Sequence, residues 1–93
     1  MSEFANRVIV ITGGETGIGR ATVLQLARAG AQVVIGGILE DEGAATLKAV
    51  AEAGGRAEFH RADVRDSAQV DALVDGAVRD HGRIDGLIAN AAI

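Results

Sequence analysis

A strand-length apolar run followed by a helix-length amphipathic stripe recurs three times along these 93 residues, and a fourth apolar run comes after the last stripe. Val8, Ile9, Val10 and Ile11 precede a stripe at Gly19, Val23, Leu26, Ala27 and Gly30, spaced as one face of a helix that Gly30 is suited to end at its C′ position. Residues 32–35 form the second run. Residues 40–53 then carry Gly43, Leu47, Val50, Ala51 and Gly54 on one face, and Gly54-Gly55 stops them. Residues 57–62, around Phe59, make a weaker third strand. Asp66-Ser67-Ala68-Gln69 resembles a capping box, Val70, Leu73, Val74, Ala77 and Val78 stripe the helix it opens, Gly82 closes that helix, and residues 84–89 are the fourth strand. Helices between successive strands imply crossover connections, so the alternation predicts an α/β fold with a parallel sheet. Right-handed crossovers and a reversal of winding after the third strand give the order 3-2-1-4, with the first two helices on one face and the third on the other.

The first strand-to-helix junction carries the chemistry. Residues 12–19 read T-G-G-E-T-G-I-G. One glycine lets the chain turn at positive φ and another lets the backbone approach a ligand; Gly19 then opens a helix whose first N–H groups lack internal partners and whose dipole favours an anion. A pyrophosphate fits such a junction. A glycine-rich loop by itself also suits an ordinary turn, and it is the flanking strand and helix that favour the phosphate. Gly19 faces the sheet at the helix start, where a side chain would push helix and strand apart.

Composition narrows the alternatives. The length suits one small unit spanning residues 1–93, with no room for a second domain. Without cysteine there is no disulfide, thiolate metal site or thiol nucleophile, which is compatible with the cytoplasm taken as the default location. The apolar runs are strand-length, and Met1-Ser2-Glu3 is not the basic start of a secretory signal, so no membrane partner is expected. Nine basic residues are dispersed among thirteen acidic ones, for a net charge of −4, and Phe4 and Phe59 are the only aromatics. Neither a basic stripe nor a stacking platform exists for nucleic acid.

Four segments together resemble the short-chain dehydrogenases/reductases: T-G-x-x-x-G-I-G at residues 12–19, Asp63-Val64 after the third strand, G-R-I-D at residues 82–85, and Ala89-Asn90-Ala91-Ala92 where that family usually has N-N-A-G. Gly13, Gly17 and Gly19 give the family's G-x-x-x-G-x-G spacing rather than the G-x-G-x-x-G of other dinucleotide-binding dehydrogenases. The resemblance implies a Rossmann-type doubly wound parallel sheet, truncated to about four strands, that binds NAD or NADP. It implies cofactor contacts from Gly13, Glu15, Thr16, Gly17, Ile18 and Gly19, partly through backbone. It also implies that Asp63 hydrogen-bonds the adenine amino group with Val64 beside the ring, that Gly37 and Ile38 lie where the ribose is read, and that Asn90, Ala91 and Ala92 border the adenosine ribose.

Three departures from the family pattern qualify the function. NAD-preferring members usually carry an aspartate after the second strand and NADP-preferring members an arginine nearby; this chain has Gly36-Gly37-Ile38 there. Glu15 opposes a 2′-phosphate and no arginine is close in sequence, which tilts the expectation to NAD, with affinity weakened by the missing ribose clamp. Ala89 and Ala92 replace an asparagine and a glycine. The family's catalytic serine and Y-x-x-x-K lie beyond the N-N-A-G region, and this chain has no tyrosine. Lys48 is expected on a wet helix face, and His60 and His81 read as isolated surface or boundary residues, so neither a catalytic set nor a metal set is expected. The reading is the cofactor-binding portion of an NAD(P)-dependent oxidoreductase of alcohols or ketones, inactive alone. The alternatives are a stand-alone non-catalytic half-sheet module and a fragment without separate function. An uncovered fourth strand would leave its partner to be a second copy, as a homo-oligomer, or the missing C-terminal half.

Overall fold

The computed structural model describes residues 4–13 and 17–90. Seven elements alternate: β1 (Val8–Thr12), α1 (Gly17–Arg28), β2 (Gln32–Gly37), α2 (Glu40–Glu52), β3 (Arg56–Arg61), α3 (Ser67–His81) and β4 (Gly86–Ala89). The strands form one parallel sheet in the order β3-β2-β1-β4, as the alternation predicts. Ile9 and Ile11 of β1 pack with Val33 and Ile35 of β2 against Val23 and Ala27 of α1 and Val50 of α2. Val8, Val10 and Val34 turn the other way, onto Leu73 and Ala77 of α3. Period-two alternation thus feeds two cores through one sheet, with α1 and α2 on one face and α3 on the opposite one.

Burial is graded across the sheet. All of β1 and all of β2 after Gln32 are buried, whereas β3 and β4 are half exposed. Burying one valine or isoleucine side chain stabilises by roughly 1.5–3 kcal/mol, so the β1–β2 pair is the centre of the fold. Arg56, Glu58, His60 and Arg61 charge the outer strand β3, which blunts it as an edge.

Several elements differ from their sequence expectations. β2 continues through Gly36 and Gly37, because Gly36 pairs between Thr12 and His60 and lets Leu73 of α3 close over the strand; an added Cβ would lie 2.4 Å from a Leu73 methyl. β3 is shifted back by one residue, and β4 starts at Gly86 because Ile84 packs beneath α3 and the Asp85 N–H bonds to Val8 O. On α2 the buried stripe is Gly43, Thr46 and Val50, while Ala51 is exposed. Thr46 is tolerated inside because its hydroxyl oxygen accepts from Arg20 Nε of α1 at 2.7 Å. At α3, Asp66 is the N-cap, accepting from Ala68 N–H at 3.0 Å. Gln69, however, reaches past the cap to accept from the Asp63 N–H, so the reciprocal bond of a capping box is replaced by one to the preceding loop.

Candidate functional site

The C-terminal ends of β1, β2, β3 and β4 share one edge of the sheet, as parallel pairing requires, and α1 begins there. Gly13 leaves β1 at φ 75°, in the left-handed region, with its N–H bonded to Gly36 O at 2.9 Å. Gly19 is buried two residues into α1, and a Cβ there would lie 2.1 Å from Gly13 O and 2.7 Å from Asn90 Nδ2. Loop backbone and helix start therefore touch in a way no side chain permits. Asn90 closes the arrangement from β4: its N–H donates to Thr12 O at 3.2 Å and Nδ2 to Gly13 O at 3.3 Å. Its role toward the loop is one that sequence reasoning missed, having assigned it only to a ribose.

The electrostatics suit an anion. α1 has no acidic residue in its first turn, so within that turn the helix dipole at its N-terminus is not offset. Ile18 projects there 79% exposed, and Ile38 and Leu39 stand half exposed after β2. Gly37 is buried in β2 and faces Arg61 in the register of the next strand, where Arg61 is 3.9 Å from Glu40. An arginine distant in sequence is thus near in space, a pairing that only strand register reveals.

Asp63 lies just beyond β3, tied to the same edge by the bond from Ala62 N–H to Gly37 O at 2.8 Å. Hydrogen bonds from the Arg65 guanidinium, then from its backbone N–H, hold the Asp63 carboxyl down to about 2. Val64 beside it is partly exposed. The structure thus brings together Gly13, Gly17, Ile18, Gly19, Gly37, Ile38, Asp63, Val64 and Asn90; Glu15, Thr16, Ala91 and Ala92 lie outside the described residues.

His60 and His81 are not isolated: both reach the Glu58 carboxylate, His60 Nε2 at 3.2 Å and His81 Nε2 in close contact. Glu58 and His60 share a face of β3 at i and i+2, whereas His81 joins them from the far end of α3, a contact that the sequence hides. Lys48 is exposed on α2, as expected. Asp85, of the G-R-I-D segment, is a structural clamp. It accepts from Arg83 and Arg7 and from the Val8 N–H at 2.8 Å, and the Arg83 bond leads in lowering its carboxyl to about 2.

Comparison with known proteins follows the same outline. The family model for short chain dehydrogenases matches residues 7–93. The chain belongs to that family. Among short-chain dehydrogenase relatives, cis-4-hydroxycyclohexanecarboxylate dehydrogenase of Sinomonas cyclohexanicum is 48% identical over 97% of this chain and 36% of its own length. The crystal structure of NAD+-bound xylitol dehydrogenase superposes with a TM-score of 0.91 at 33% identity, over 98% of this chain and 35% of that one. A metagenomic short-chain oxidoreductase in complex with NADP gives a TM-score of 0.94 at 35% identity, over 99% of this chain and 42% of that one. The chain spans about a third of the length of the curated relatives it matches.

Proposed function

We propose that this chain, read as one unit over residues 1–93, is the dinucleotide-binding portion of an NAD(P)-dependent short-chain oxidoreductase of alcohols or ketones. The observation that carries the reading is the packing of Gly19 on the Gly13 carbonyl, closer than any Cβ would permit, which holds the glycine loop against the N-terminus of α1, where unpartnered N–H groups favour an anion. Gly13, Glu15, Thr16, Gly17, Ile18 and Gly19 contact the cofactor, the pyrophosphate being held through loop and helix-start backbone N–H groups; Asp63 and Val64 take the adenine; Gly37, Ile38, Asn90, Ala91 and Ala92 border the ribose. A bound nicotinamide supplies hydride chemistry, and the residues of this chain bind and orient it.

NAD is preferred over NADP. Glu40, Asp41 and Glu42 form an acidic first turn of α2 close after Gly37; among the described residues Arg61 faces Glu40 and Arg20 pairs with Glu42, which leaves the turn acidic on balance. The Gly37 position offers no carboxylate to the ribose hydroxyls, so the affinity is modest. The cysteine-free chain is compatible with the cytoplasm.

No residue here is assigned to catalysis. Purified chain with NAD+ and a panel of secondary alcohols should give no reduction above background, while NAD+ binding is retained; turnover would show a catalytic group on these elements, and loss of binding would remove the reading. A coding frame running on into Y-x-x-x-K would join the chain to its catalytic partner segment. Among the described residues β4 pairs only with β1, and Leu87 is 54% exposed. Its free edge is therefore assigned to a further strand, from a longer polypeptide or a second copy.

A further inference from the structure

Asp63 is engaged at each of its polar groups. Its N–H donates to Gln69 Oε1 at 2.8 Å and its carbonyl accepts from the Asp66 N–H at 3.0 Å. On the carboxylate, Oδ1 accepts from the Arg65 N–H at 2.9 Å and from Arg65 Nε at 3.1 Å, while Oδ2 accepts from Nη2 at 2.9 Å. An ionised carboxylate has about four acceptor positions, two on each oxygen, and no donor. Among the described residues Arg65 fills both positions on Oδ1 and one on Oδ2, which leaves a single acceptor, on Oδ2. The side chain is 26% exposed at the sheet edge that carries the glycine loop, so that acceptor is open to a ligand.

We propose that Arg65 is a positioning residue that fixes Asp63 with one open acceptor, on Oδ2, and thereby makes the site select a nucleobase bearing an exocyclic amino group. The proposal rests on the reading that a dinucleotide binds here. A free aspartate is a permissive reader, because it can turn about its side-chain torsions, or take up a proton and donate to a carbonyl oxygen. The Arg65 fork removes both freedoms: it holds the carboxylate in one plane and keeps it ionised. An amino N–H then meets an acceptor, whereas a base with oxygen at that position brings lone pairs against a fixed anion. Gln69 supports the same geometry from below by holding the Asp63 backbone, which fixes where the carboxylate starts.

The test is a calorimetric comparison of NAD+ with nicotinamide hypoxanthine dinucleotide, in which oxygen replaces the adenine amino group, on the full chain and on Arg65→Ala and Arg65→Lys. The wild-type chain should favour NAD+ by about tenfold or more, as for one hydrogen bond to a charged acceptor. Arg65→Ala should lose most of that preference through weaker NAD+ binding, with the hypoxanthine dinucleotide little changed. Arg65→Lys, which keeps the charge without the fork, should fall between. A preference that survives Arg65→Ala overturns the proposal, as does equal binding of the two dinucleotides by the wild-type chain. Equal loss of both in Arg65→Ala makes Arg65 a structural residue and overturns it too. Failure of the wild-type chain to bind either dinucleotide overturns the cofactor reading itself.

Discussion

Two aspartates show how differently one residue type is used here. Asp63 and Asp85 are both lowered from 3.8 to about 2, each chiefly by a hydrogen bond from an arginine two residues away, Arg65 after the one and Arg83 before the other. Asp63 stands at the candidate site, whereas Asp85 ties the entry of β4 to the first residue of β1. A carboxylate whose folded value is depressed stabilises the fold while ionised. That contribution is complete above about pH 4 and is lost as the pH falls toward about 2. Acid unfolding followed by circular dichroism should therefore steepen across that window. Asp85→Asn, which keeps an oxygen for the Val8 N–H, should be less stable at neutral pH and show a flatter acid limb.

At the scale of elements, the sheet order and the placement of the three helices were legible because hydrophobic periodicity reports which face is buried, and crossover rules limit the topology. Where the reading slipped, a contact between elements decided. Thr46 stands outside the apolar stripe of residues 40–53, yet it is buried on α2 beside Gly43 and Val50, because Arg20 crosses from α1 to bond it. Thr46→Val should cost about 1–3 kcal/mol in urea unfolding, since it keeps the shape and withdraws an acceptor from Arg20. The apolar run ends at residue 35, but β2 continues through Gly36 and Gly37, where pairing with β1 and β3 holds the strand and Leu73 packs against Gly36. In the candidate site Gly13 and Gly19 were visible from spacing. The roles of Arg65, Gln69 and Arg61 were not: Gln69 reads as part of a capping box, and an arginine two positions from Asp63 reads equally well as solvated, until the loop between β3 and α3 is closed.

For the whole molecule, the two cores are unequal in what covers them. The face under α1 and α2 is closed by two helices, while the other has α3 alone and β4 exposes Leu87 beside it. Keeping apolar area wet costs roughly 25 cal/mol per Å², and a parallel edge with unpaired N–H and C=O groups is a template for another strand. The isolated chain is accordingly expected to self-associate. Sedimentation at low micromolar concentration should show a dimer or larger species, and a stable, non-aggregating monomer would mean that residues outside those described cover β4. The junction of β1 and α1, held by the packing of Gly19 on Gly13, is the proposed dinucleotide site. It is tested most directly by titrating NAD+ calorimetrically into the wild-type chain and into Gly19→Val, with circular dichroism verifying that the variant is folded. Binding should be saturable for the wild-type chain and undetectable in the variant; a folded Gly19→Val chain with unchanged affinity would place the dinucleotide elsewhere.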